Sequence, residues 1–250
     1  MSRHACVTTH LGLLYQLQAE QSRNDLKIKL TQNMINYLHS DIQTFQRLHA
    51  AIPERNGSWP TVMALVGSSR PQPATVQKII DCYLQKLEPY AGTATFLVGG
   101  RGEYGSAMDA SVEGCYKRNY RMVIVGIEPI FDLGGRVPAE NVFSFNNVSL
   151  RCYALTQLSD LLIVFPGGLG TIQEIIVPLM HKKLDTSLPD TLQGPRAIFV
   201  AMDEPNPVTE FLPIIKNKSY ISMEGSIALY PVTVTSFSTV FRQWRASQDW

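Results

Sequence analysis

The 250-residue chain has almost no net charge: 22 Lys and Arg stand against 21 Asp and Glu, a formal +1 at pH 7. No basic excess is available to neutralise a phosphate backbone, so neither nucleic acid nor an anionic membrane is expected as a partner. No apolar run approaches the roughly 18 residues a membrane span needs. The first residues carry no long apolar stretch behind a basic one, so a signal peptide is not expected. Cysteine is scarce, and Cys6, Cys82, Cys115 and Cys152 are widely spaced with no CxxC pair. They read as reduced thiols of a cytoplasmic protein, not a disulfide frame or zinc site. The five histidines, His4, His10, His39, His49 and His181, offer no HExxH or paired-ligand spacing, so no metal and no cofactor is expected. A Gly-x-Ser-x-Gly elbow and a Gly-x-x-x-x-Gly-Lys-Ser/Thr loop are both missing, which argues against elbow-type hydrolases and P-loop NTPases. Repeats and low-complexity tracts are absent too.

What the chain does have is a core. Apolar residues make up 45% and charged residues 17%, in keeping with one large globular domain plus an extension. Residues 10–52 read as helical. Leu26, Leu30, Met34, Leu38, Ile42, Phe45, Leu48 and Ile52 recur at spacings of three and four, a stripe that must pack on the main domain or on a second subunit. Pro53 to Pro60, with Asn56, Gly57 and Ser58, reads as a linker. The expected division is an N-terminal helical extension and linker over 1–57 and a nucleotide-binding domain over 58–250.

From Thr61 short apolar runs alternate with helical segments. Strands are expected over 62–66, 95–98, 122–125, 161–165, 197–200 and 232–234. Helices are expected near 74–88, 106–119, 147–158, 171–183, 207–217 and 236–247. Such strands, each followed by a helix, indicate a Rossmann-like α/β fold, a doubly wound parallel sheet with helices on both faces. Ligands of such sheets bind at the carboxyl ends of the strands, near a switch in strand order.

Four loops stand at those ends. The most informative is Pro166-Gly167-Gly168-Leu169-Gly170-Thr171-Ile172-Gln173-Glu174, between the fourth apolar run and a helix. A glycine-rich turn opening a helix leaves backbone N–H groups pointing outward, an anion site usually filled by phosphate. It also delivers one carboxylate, Glu174, about one helical turn past the glycines. Gly67-Ser68-Ser69-Arg70 follows the first strand, with hydroxyls and a cation for phosphate or sugar. Gly100, Gly102 and Gly105, after the second strand, match the G-x-G-x-x-G dinucleotide fingerprint, so an NAD(P) site competes with a tight turn there. Glu128, after the third strand, fits either a ribose contact or a solvated loop acid. Arg151 lies on the helical segment before the Pro-Gly-Gly turn. Alone it reads as a surface residue; beside a carboxylate it would hold that group ionised and oriented. No lysine sits in these loops, which disfavours pyridoxal phosphate chemistry.

The stretch Pro166 to Glu174 resembles the PGGxGTxxE signature of the Lonely Guy family, the cytokinin riboside 5′-monophosphate phosphoribohydrolases, long labelled "lysine decarboxylase-like". The resemblance covers roughly residues 61–240, and the family's arginine precedes its Pro-Gly-Gly at the spacing of Arg151. Ser106-Ala107-Met108-Asp109-Ala110, Gly126-Ile127-Glu128-Pro129 and Phe165-Pro166-Gly167-Gly168 are more similar still to the bacterial nucleotide 5′-monophosphate nucleosidases of the same superfamily. Two positions depart from the plant type. Cys152 stands where a lysine follows the arginine, and Asp109 replaces the last glycine of GGGxxGxMG.

The resemblance implies hydrolysis of the N-glycosidic bond of a nucleoside 5′-monophosphate to free base and ribose 5-phosphate. Glu174 would stabilise an oxocarbenium-like sugar, and Arg151 would orient Glu174. Gly167, Gly168, Gly170 and Thr171 would hold the phosphate, Ser68 and Gly100 would line the sugar–phosphate side, and Met108 would pack on the base. A homodimer or higher homo-oligomer is implied. The alternatives are a non-catalytic nucleotide-binding or sensing protein and an NAD(P)-dependent enzyme. The base remains open.

Overall fold

The computed structural model describes residues 29, 32, 34, 36–52, 62–100, 102–127, 137–184, 194–217 and 227–247. Glu128, the linker over 53–60, and Cys6, His4, His10, Leu26 and Leu30 in the N-terminal segment lie outside the described residues.

The five inner strands form where a short, largely apolar run can be buried on both sides. β1 (Val62–Val66), β2 (Thr95–Val98), β3 (Met122–Ile127), β5 (Leu161–Val164) and β6 (Ala197–Ala201) are almost entirely buried. With β4 (Val142–Phe145) and β7 (Ala228–Val232) they make one seven-stranded sheet, order β4-β3-β2-β1-β5-β6-β7. Every pairing is parallel. The chain winds outward from β1 to β4, then restarts at β5 on the other side of β1. The switch point therefore lies between β1 and β5, where Val66 pairs with Val164.

Alternation along β1 divides the core. Met63 and Leu65 face a layer made by α2 (Ala74–Ala91), α3 (Ala107–Lys117) and α7 (Val234–Ala246). Val62, Ala64 and Val66 face the opposite layer, made by α1 (36–51), α4 (Val148–Gln157), α5 (Leu169–Leu184) and α6 (Pro207–Asn217). The Rossmann-like α/β expectation is met, with helices on both faces. None of the described helices is long and apolar enough to cross a membrane.

Two strands differ from expectation. β4 was not read at all, because it is an edge strand with alternating burial and only Phe143 and Phe145 inside. β7 ends where a strand over 232–234 was expected to begin. Pro231 and half-exposed side chains hide it, and an edge is the place where a proline's missing N–H is tolerated. The N-terminal stripe is split. Leu48 is fully buried, and Phe45 and Ile52 pack on the domain. Met34, Leu38 and Ile42 are exposed.

Candidate functional site

The carboxyl ends of β1 and β5 are stitched together. Phe165 donates its amide to Val66 O, and Ser68 donates its amide to Pro166 O. The Gly67–Arg70 and Pro166–Thr171 loops therefore run side by side. With the ends of β2 and β3 they form a cleft of about 720 Å³. Its walls include Ser68, Arg70, Gly100, Met108, Ile127, Val148, Arg151, Cys152, Gly168, Gly170, Thr171 and Glu174.

Arg151 organises this cleft. It projects from the first turn of α4. Its Nε donates to Val125 O at 2.9 Å, and its Nη2 donates to Gly99 O at 2.8 Å. Its Nη1 donates to the Glu174 Oε1. One guanidinium thus ties the ends of β2 and β3 to a carboxylate on α5, using the planar fork that a lysine lacks. The two side chains are 12% and 5% exposed. Burial pushes the Glu174 carboxyl above the usual carboxylate range, and the Arg151 charge opposes that rise. Cys152, the next residue on α4, is buried at the same place. Burial, with the Glu174 charge added, pushes its thiol up to about 12, so it stays a neutral wall.

Close approach at Gly99 makes the arginine possible. A Cβ there would overlap Arg151 Nη2 and Met108 Cε. Gly99 is a site residue that the sequence reading passed over in favour of Gly100; the Gly99-Gly100 doublet was its only trace. Gly100 has φ +100°, a left-handed conformation suited to glycine.

The turn expected to hold an anion opens α5 (Leu169–Leu184). Ile172 is the first amide of the turn to reach a backbone acceptor, Gly168 O. Among the described residues none accepts from the amides of Leu169, Gly170 and Thr171. Cβ atoms on Gly168 and Gly170 would meet nothing within 4 Å, so both face open space. Gly167 differs from Gly168 and Gly170 in having no room for a side chain. The Thr171 hydroxyl lies against its Cα, where a side chain would stand. Ser68 lines the cleft, but its hydroxyl accepts from Arg70 N at 3.1 Å and lies 3.3 Å from Arg70 O. Its work is to fix the turn that presents Arg70, an exposed cation at the cleft wall.

The competing glycine fingerprint is built differently. A dinucleotide site needs free amides at the start of α3. Met108 N instead donates to Ser68 O, and Asp109 N to the Ser106 hydroxyl. The Asp109 carboxylate accepts from Gly105 N at 2.9 Å. These bonds close the α3 terminus and argue against a pyrophosphate there. Asp109, noted above as a departure from the family pattern, is thereby a clamp on the Gly102–Ser106 turn. Met108 is buried in the cleft floor beside Gly99.

No family model matches the chain, and no curated protein matches it. Solved structures do. The protein TM1055 aligns over 73% of this chain and 99% of its own, at 16% identity and a TM-score of 0.53. The molybdenum cofactor carrier protein of Chlamydomonas reinhardtii aligns over 76% and 100%, at 12% identity and 0.50. DNA processing protein A of Helicobacter pylori aligns over 74% and 81%, at 15% identity and 0.45. The first two likenesses agree with the sheet order in assigning the chain a Rossmann-like α/β fold shared with carrier and other proteins alike.

Proposed function

We propose that this protein hydrolyses the N-glycosidic bond of a nucleoside 5′-monophosphate, releasing free base and ribose 5-phosphate. The observation that carries the reading is the buried Arg151–Glu174 pair, standing in one cleft with the unengaged amides at the start of α5. The amides of Leu169, Gly170 and Thr171, the positive end of the α5 dipole and Arg70 suit a dianionic phosphate. Binding that remote group holds C1′ of the sugar near Glu174.

As the C1′–N bond lengthens, its electron pair leaves with the base and positive charge develops on the sugar. The Glu174 carboxylate stabilises that charge; Arg151 keeps it aimed and ionised despite burial. Water adds to C1′ and loses a proton, and the departing base nitrogen gains one, so the reaction balances without a further reactant. Met108 and Ile127 offer an apolar surface for the base. The chain is proposed to act in the cytoplasm as a homodimer or higher homo-oligomer; its Cys82, Cys115 and Cys152 are unpaired thiols.

A second reading is favoured by one finding: a cofactor carrier protein has this fold at a TM-score of 0.50. On that reading the cleft binds a nucleotide-like ligand without turning it over. Incubation with a panel of nucleoside 5′-monophosphates and the matching nucleosides, followed by chromatography of free bases, separates the two. The hydrolase reading expects base release from monophosphates far faster than from nucleosides. Equal kcat/KM for adenosine and AMP would sink the phosphate cradle, and binding without release would favour the carrier.

A further inference from the structure

One buried carboxylate ties α1 to the joint between β4 and α4. Asp41, on α1, is 1% exposed. Its Oδ1 accepts from Asn146 N at 2.7 Å and from Asn146 Nδ2 at 3.0 Å. Its Oδ2 accepts from Asn147 N at 2.8 Å. Asn146 and Asn147 are the whole connection between β4 and α4. A single acidic side chain therefore grips both backbone amides of a two-residue joint at the sheet edge.

That joint leads directly to the arginine. Asn147 is the N-cap of α4, its side chain accepting from Ser149 N at 2.8 Å and Leu150 N at 3.1 Å. Its backbone carbonyl accepts from Arg151 N at 3.0 Å. Arg151 is thus the first α4 residue whose amide is held by the cap carbonyl, one turn from the Asp41 grip. Phe45 of α1 also meets Tyr153 of α4 at 5.9 Å between ring centroids, while Leu48 is fully buried in the core layer on that face of the sheet. A buried carboxylate with three charge-assisted bonds costs desolvation that a plain packing helix could avoid. Three donors converging on it explain why an acid stands there.

We propose that Asp41 is a positioning residue, which sets the start of α4 and through it the direction of the Arg151 guanidinium and Glu174. The N-terminal helix is then part of the catalytic apparatus as well as a packing element. The kinetic arm of this inference rests on the hydrolase reading; its structural arm does not. Asp41→Asn keeps the shape but turns one acceptor into a donor facing an N–H group.

The test compares Asp41→Asn with Leu48→Ala, which loosens the same helix by removing a buried side chain about two turns along α1 from Asp41. The readouts are kcat and KM for AMP, melting temperature, and solvent exchange of the Arg151 Nε–H, assigned by its loss in Arg151→Lys. Asp41→Asn is expected to lower kcat about tenfold with KM within about twofold, and to accelerate Nε–H exchange about tenfold. Leu48→Ala is expected to lower the melting temperature as much or more, yet leave kcat and that exchange near wild type. Asn147→Ala, an exposed change that removes the α4 cap and does not endanger folding, should accelerate the exchange too. The proposal is overturned if Asp41→Asn and Asn147→Ala leave Nε–H protection intact, or if Leu48→Ala disturbs it equally. Wild-type protein without turnover would refute the hydrolase reading alone, and the exchange measurements would still decide the role of Asp41.

Discussion

Gly99→Ala is the smallest change that should dismantle the site. The new methyl would overlap the Arg151 Nη2 and the Met108 Cε. Gly99 is not among the residues with positive φ, so alanine meets no backbone strain and the whole effect is steric. Two costs bound it. Overpacking alone costs about 1–3 kcal/mol. Expulsion of the guanidinium would break its bonds to Gly99 O and Val125 O and strand Glu174, which is 5% exposed beside it. A buried charge left without its partner costs about 3–5 kcal/mol. The second term dominates, because the guanidinium cannot move and still reach all three acceptors. For a chain of this size such a loss lowers Tm on the order of 10 °C. Base release from AMP should fall by a factor of about 10² or more, since Glu174 loses its aim. Gly92→Ala is the control. A Cβ there meets nothing within 4 Å, and φ is −64°, so stability should be unchanged or raised by about 0.4–1 kcal/mol. The assay is calorimetry with timed chromatography of adenine. Gly99→Ala protein with wild-type Tm and wild-type turnover would refute this account of Arg151.

Four further outcomes are expected. Gly168→Ala, whose methyl enters open space at the start of α5, should leave unfolding stability within about 0.5 kcal/mol of wild type while raising KM for AMP. The acid limb of kcat against pH should lie above the ordinary glutamate value of about 4.3, because burial raises the Glu174 carboxyl and the ionised form is the active one. The same upward shift means that the Glu174 contribution to stability is full below its unfolded value and is lost as pH rises through its folded value, which urea denaturation at several pH values would show. Cys115 and Cys152, both raised to about 12 by burial, should resist a thiol-disulfide reagent at pH 8 until the protein is unfolded; rapid modification of the folded state would contradict their burial.

The five inner strands were legible because burial on both faces leaves only apolar residues to read. The edge strands were not. Phe143 and Phe145 alternate with half-exposed residues, and Pro231 disguises β7. The glycine-rich turn that opens α5, with Glu174 one turn on, was legible because glycine spacing between a strand and a helix has a physical meaning on its own. Arg151 needed the resemblance: its acceptors, Val125 O and Gly99 O, lie on other strands and leave no trace near it in sequence. Ser68 lines the cleft as expected of the loop after β1, and its hydroxyl contacts to Arg70 could not be read from the sequence. Asp41 gave no signal, since an acid between apolar stripe positions looks like any solvated helix residue until its three donors are seen.

The most direct measurement is release of ribose 5-phosphate from AMP by wild type, Glu174→Gln and Arg151→Ala, alongside nucleotide affinity of each. Glu174→Gln keeps the shape and removes the charge. The account predicts wild-type turnover, a loss in kcat of roughly 10² or more for Glu174→Gln, and nearly unchanged affinity because the α5 amides are intact. Arg151→Ala should lower kcat as well. Turnover that survives both substitutions would contradict the assignment of the Arg151–Glu174 pair. Absence of wild-type turnover, with both variants altering affinity alone, would make the cleft a binding site.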